Sequence, residues 1–67
     1  MRQFTFFWLD GTVNVLTAPS VEKAKQVSNR DTNMSLDFWD FGNKTKDFIW
    51  SQKELTWLPV GRKVLLD

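Results

Sequence analysis

A chain of 67 residues has room for one domain spanning 1–67 and one modest core, because a fold of about 60 residues buries only about 60% of its unfolded surface. No Cys and no His are present, so the chain has neither a disulfide staple nor the usual ligands of a structural zinc site. Nine Lys or Arg against eight Asp or Glu leave a net charge of +1, which excludes the dense positive footprint of an electrostatic nucleic-acid binder and equally an acidic mimic of DNA. Six Phe and four Trp must then carry the packing, at roughly 1.5 to 3 kcal/mol for each fully buried Phe-sized side chain.

The first residues, Met1 to Leu9, meet Asp10 too early for a signal peptide, and nothing approaches the roughly 18 apolar residues of a membrane span. A soluble, cytoplasmic protein is expected, with no membrane partner. Arg2 to Leu9 is apolar and β-prone, Asp10-Gly11 is a type I′ turn signal, and Thr12 to Ala18 is again β-rich. With a two-residue loop, Leu9 faces Thr12, Trp8 faces Val13, Phe6 faces Val15 and Phe4 faces Thr17. The core face then carries Phe4, Phe6, Trp8, Val13 and Val15, and the opposite face Thr5, Phe7, Leu9, Asn14 and Leu16.

Pro19 ends the second strand and Ser20 is a good N-cap for a helix over Val21 to Ser28, with Val21, Ala24 and Val27 on one side and Glu22 in the first turn. Asn29 to Ser35 reads as a loop. Leu36 to Phe41 is a strand whose Leu36 and Phe38 point one way and Trp39 and Phe41 the other. Gly42 to Thr45 is a turn into Asp47 to Trp50, and a second turn around Gln52 to Glu54 leads to Leu55 to Leu58, stopped by Pro59. In that last pair Phe48, Trp50, Leu55 and Trp57 share a face. Val60 to Asp67 could add a short last strand or pack as a tail against an edge. The expected fold is α+β, an antiparallel sheet of four to five strands with one short helix on one face, in ββαββ order.

Catalysis has little to stand on. Ser20, Ser28, Ser35 and Ser51 have no His beside them as a base, so no catalytic residue is assigned. Asp37 with Asp40, or Asp40 with Asp47, could approach one another as an acid and base pair or hold Mg²⁺, the basis of a distant hydrolase reading. Each of these carboxylates flanks a turn or a strand end, where capping is the ordinary role, and no metal site is assigned. Gly11, Gly42 and Gly61 are isolated, so there is no phosphate loop and no cofactor is expected.

Phe7, Trp39 and Phe41, turned away from the first hairpin's core, together with Lys44 and Lys46, form the expected partner-binding set. Aromatics beside cations can stack single-stranded nucleic acid, but surplus apolar faces on so short a chain favour a protein interface. The same surplus, Phe7, Leu9 and Leu16 with Trp39 and Phe41, predicts a homo-oligomer.

The run Phe6-Phe7-Trp8-Leu9-Asp10-Gly11-Thr12, the segment Ser20-Val21-Glu22-Lys23-Ala24, then Leu36-Asp37-Phe38 and Phe48-Ile49-Trp50 together resemble small open reading frames of phages and prophages, over roughly Phe4 to Trp57. That resemblance implies an origin, and with it proteins that bind and inhibit a host protein, including defence nucleases, or sequester a signalling nucleotide. It carries over no functional residues. The expected function is a small non-enzymatic binding protein, a phage-encoded inhibitor of a host or defence protein acting through an aromatic surface. The alternative is a single-stranded nucleic-acid or nucleotide binder using aromatic stacking.

Overall fold

A computed structural model describes residues 1–60, in the order β1 (Arg2–Trp8), β2 (Val13–Ala18), α1 (Val21–Ser28), β3 (Leu36–Phe41), β4 (Phe48–Ser51) and β5 (Thr56–Pro59). The α+β class and the single short helix are as expected. The single sheet of four to five strands is not found, because the strands divide into an antiparallel sheet of order β2-β1-β3 and a separate antiparallel hairpin β4-β5. Three strands follow the helix, so the order among the described residues is ββαβββ. The strand considered beyond Val60 lies outside the described residues.

The first hairpin forms, but not with a two-residue turn. Trp8 donates its backbone N–H to the Thr12 carbonyl at 2.9 Å, leaving Leu9, Asp10 and Gly11 as the loop. Only Gly11 of these three has positive φ, at 89°, whereas a type I′ turn needs it at both central residues. Asp10 keeps an ordinary φ because its Oδ1 accepts the Thr12 N–H at 3.0 Å and the Thr12 hydroxyl at 2.6 Å. The three-residue loop slips the register by one, pairing Phe4 with Leu16 and Phe6 with Asn14. A one-residue slip exchanges the faces of the second strand. Leu16, not Val15, therefore joins Phe4, Phe6 and Trp8.

On that face sits α1. Ser20 is its N-cap, accepting the Lys23 N–H at 3.3 Å, and Asn29 ends it in the left-handed region at φ 57°. Ala24 is buried against Phe4, Phe6, Trp8 and Ala18, with Val21 packed beside them. Val27, expected in the same stripe, is instead 56% exposed, since an eight-residue helix reaches the sheet only through its first turns.

β3 pairs with β1, Phe4 opposite Phe41 and Phe6 opposite Trp39, with an irregularity between Phe7 and Trp8 where the extra residue Asp37 is accommodated. This bulge brings Leu36 onto the helix side with Trp39, so Leu36 and Phe38 do not share a face as a regular strand would require. The hairpin expected between β3 and β4 is absent. Gly42, at φ 77°, donates to the Gln3 carbonyl at 2.7 Å, and the buried Thr5 hydroxyl donates to the Gly42 carbonyl at 2.5 Å while accepting the Lys44 N–H at 2.9 Å. One threonine thus ties the chain to the sheet as it leaves β3, and β4 then pairs with β5.

The β4-β5 hairpin covers the second face of β1. Its register sets Phe48 opposite Pro59 and Trp50 opposite Trp57, and Phe48 and Trp57 lie 5.0 and 5.1 Å from the Phe7 ring centre, with Phe38 stacked on Phe7 at 4.5 Å. Leu55 falls in the connecting loop at φ 57° rather than on the shared face. Among the described residues no helix is long and apolar enough to cross a membrane.

Candidate interaction surface

The five residues expected to bind a partner do not form one surface. Phe7 is 0% exposed, enclosed by Phe38, Phe48 and Trp57, because the second hairpin stacks on the sheet instead of extending it. Of the residues whose surplus predicted self-association, Phe7 and Leu16 are drawn into the interior while Leu9 and Phe41 stay exposed, at 42% and 45%. Phe7 is under the hairpin and Leu16 packs against the helix-side core.

Trp39 and Phe41 lie on the helix side of β3, whereas α1 packs chiefly over β2. Trp39 is half-buried and meets Phe4 edge-on at 5.6 Å and Phe41 edge-on at 5.0 Å. Phe41 is 45% exposed. Over its ring sits the Arg2 guanidinium, 4.6 Å from the centroid, a cation–π distance. Arg2 is the functional candidate that the sequence reading lacked. The signal for it was present in strand parity, because Arg2, Phe4 and Phe6 share a face, but only the pairing of Phe4 with Phe41 brings that face to β3.

The two lysines belong elsewhere. Lys44 reaches Asp40 at 3.5 Å and its amide is bound by Thr5, so it holds the chain reversal together. Lys46 is exposed in the turn before β4.

The carboxylates considered for acid–base or metal chemistry are dispersed in structural roles. Asp37, pushed out by the bulge, accepts the Thr56 hydroxyl at 2.5 Å and the Trp57 N–H at 2.9 Å. Beside these, Trp57 donates its indole N–H to the Trp8 carbonyl at 2.8 Å, and the three bonds lock the hairpin to the sheet. Asp40 accepts the Phe41 N–H at 2.8 Å. Among the described residues no group of three His, Cys, Asp or Glu could hold a metal ion. The hydroxyls of Ser20, Ser28 and Ser51 are each bonded to nearby backbone.

A further cluster secures the loop after α1. Arg30 donates to Asp10 at 2.9 Å and to the Thr12 hydroxyl at 3.0 Å, with its guanidinium 4.2 Å above the buried Trp8 ring. The Asp10 carboxyl is held down from 3.8 to about 2, first by the Thr12 hydroxyl, then by the Thr12 amide and then by Arg30. Its bonds run from Arg30 to Asp10 and Thr12 and from Thr12 to Asp10, joining the loop after α1 to the first hairpin, which makes the cluster a fastening.

Of the three aromatics expected to bind a partner, Phe41 stays open, on a half-buried Trp39 and with a cation stacked on it. Such a surface can bury an apolar side chain against Phe41 and Trp39 while Arg2 meets a carboxylate, or it can stack a base. Compared with protein-family models, curated proteins and solved structures, the chain matches none.

Proposed function

We propose that this chain is a non-enzymatic binding protein that engages a protein partner through Trp39, Phe41 and Arg2, and that, in keeping with its resemblance to phage reading frames, the partner is a host or defence protein that it inhibits. The observation that carries the reading is Phe41, a large aromatic ring left 45% exposed on a packed aromatic base and capped by a guanidinium. Aromatic side chains and Arg are the residue types enriched where protein interfaces concentrate their binding energy. A near-neutral chain with one cation stacked at this surface has little to offer a phosphate backbone, whose binding requires many neutralising contacts. The alternative, stacking of a single-stranded nucleic acid or nucleotide on Phe41, rests on the same ring.

The two readings part on salt and on which substitution matters. Capture of a specific host protein should weaken on Phe41→Ala and on Arg2→Ala, change little on Lys46→Ala and persist as salt is raised. Submicromolar binding of an oligonucleotide that declines steeply with salt and with Lys46→Ala would replace the protein-binding reading with the nucleic-acid one.

A further inference from the structure

The two free edges of the three-stranded sheet are unlike. In an antiparallel ladder alternate residues turn both backbone groups toward a given neighbour. The Trp8 bond to the Thr12 carbonyl sets the phase for β2, so Asn14 and Leu16 bond inward and Val13, Val15 and Thr17 direct their N–H and C=O groups outward. The Gly42 bond to the Gln3 carbonyl sets it for β3, where Trp39 and Phe41 are outward.

Exposed edges are templates for pairing with another chain unless they are blunted by bulges, charges or proline. β3 has such devices. It is bulged beside Trp8, it carries Asp37 and Asp40, and the Asp40 carboxylate occupies the outward N–H of Phe41. β2 has none. Thr12 to Ala18 contains no charge and no proline, and its pairing with β1 runs unbroken from Arg2 opposite Ala18 to Phe7 opposite Val13. Its outward groups at Val13, Val15 and Thr17 bond to none of the described residues.

From this contrast we infer that the β2 edge pairs antiparallel with the β2 edge of a second copy of the chain, about a twofold axis at Val15. The outward set is symmetric about Val15, so one register lets Val15 meet its own copy while Val13 meets Thr17 and Thr17 meets Val13. Each of these pairs exchanges two backbone hydrogen bonds, as hydrogen-bonded pairs of an antiparallel ladder do. All the side chains in them are β-branched, a favourable cross-strand combination. On the helix side Asn14 meets Leu16, and no like charges oppose one another anywhere along the strand. Two three-stranded sheets become one of six, the remedy by association that a core this small invites. The interface is separate from Phe41, which stays open in both copies.

Light scattering of the full chain through the micromolar range tests this. The expected mass is twice 7.9 kDa, falling toward the single-chain value on dilution, and amide exchange at Val13, Val15 and Thr17 should slow as concentration rises while exchange at Trp39 stays unchanged. Val15→Pro removes an N–H that the monomer does not use, in keeping with proline's tolerance on edges, and Thr17→Lys places a charge on an exposed side chain. Both variants should keep the far-ultraviolet circular dichroism of the parent, weigh a single chain and lose the concentration-dependent protection. A parent chain that weighs 7.9 kDa at every concentration, or a dimer that survives Thr17→Lys in a folded variant, would overturn the inference.

Discussion

Phe6 and Phe7 are neighbours in β1 and both are fully buried, yet the chain covers them by different means. Phe6 lies among Phe4, Trp8, Ala18 and Ala24, all from the first hairpin and the helix that follows it directly. Phe7 lies among Phe38, Phe48 and Trp57, drawn from three later strands, and the elements that bring them are fastened by paired hydrogen bonds at Thr5 and at Asp37 and one at the Trp8 carbonyl. The helix side is thus closed mainly by small apolar residues at short sequence separation, with Leu36 and Trp39 of β3 also packed against it. The hairpin side needs long loops to close, whose entropy must be offset by aromatic burial and by bonds that leave no buried donor orphaned. A β-strand with both faces buried can therefore be half local and half long-range in origin.

Removing the ring at the centre of the long-range face should have the largest effect. Phe7→Ala is expected to cost about 3 to 5 kcal/mol, the usual range for a buried Phe, which is much of what a small domain has. Circular dichroism melts should show it largely unfolded at room temperature, whereas Phe41→Ala stays folded. Coincident melts for the two variants would mean that the hairpin does not close over Phe7.

Thr5→Val keeps the shape of the buried side chain but deprives the Gly42 carbonyl and the Lys44 amide of their partner. The loss should be about 1 to 3 kcal/mol, the cost of leaving buried polar groups unsatisfied, read as a lower urea midpoint. Thr5→Ser should recover most of it. A serine variant no better than valine would make the methyl group, and not the hydroxyl, the important part.

Gly11 joins the two sides, since it has φ 89° and a Cβ there would stand 3.3 Å from the Trp50 ring. Gly11→Val should destabilise by about 1 to 2 kcal/mol, within the range for a strained backbone residue, and should shift Trp fluorescence through the displaced Trp50. Gly11→Asn, which tolerates the left-handed region better, should lose less. Equal losses would assign the effect to crowding against Trp50 alone.

The smallest effect belongs to the exposed fastening on the helix side. The Asp10 carboxyl titrates at about 2 in the folded chain, below its ordinary 3.8, so its contribution is complete above 3.8 and is lost as the pH falls through about 2. Urea midpoints across that window should decline more for the parent than for Asp10→Asn. Parallel declines would remove Asp10 as a source of acid sensitivity.

Much of the fold is legible in the residues. The bounds of α1 and β3, the outer ends of β1 and β2, the Ser20 cap and the need for glycine at position 11 follow from alternation, capping chemistry and turn signals, all of which act within a few residues. Even so, the loop is one residue longer than the turn signal implied, with the Thr12 amide and hydroxyl both bonded to Asp10, and that residue reverses the faces of β2. The surface was less legible. Trp39 and Phe41 could be marked as apolar surplus, but so could Phe7, and nothing in their alternation separates a ring that will be stacked under a hairpin from one that will stay open.

By itself, then, the order of residues determined the local elements, the absence of His and Cys chemistry and the aromatic means of packing, because each depends on composition or on near neighbours. Only the tertiary structure decided that β3 pairs with β1 rather than β4, that a bulge turns Asp37 toward Thr56 and Trp57, and that Arg2 rests on Phe41. Several strands here carry similar apolar alternation, so hydrophobic burial alone leaves competing pairings close in energy. The choice falls to long-range hydrogen bonds, those of Thr5 and Asp37 above all, whose partners are far away in sequence and meet only once the layers are stacked.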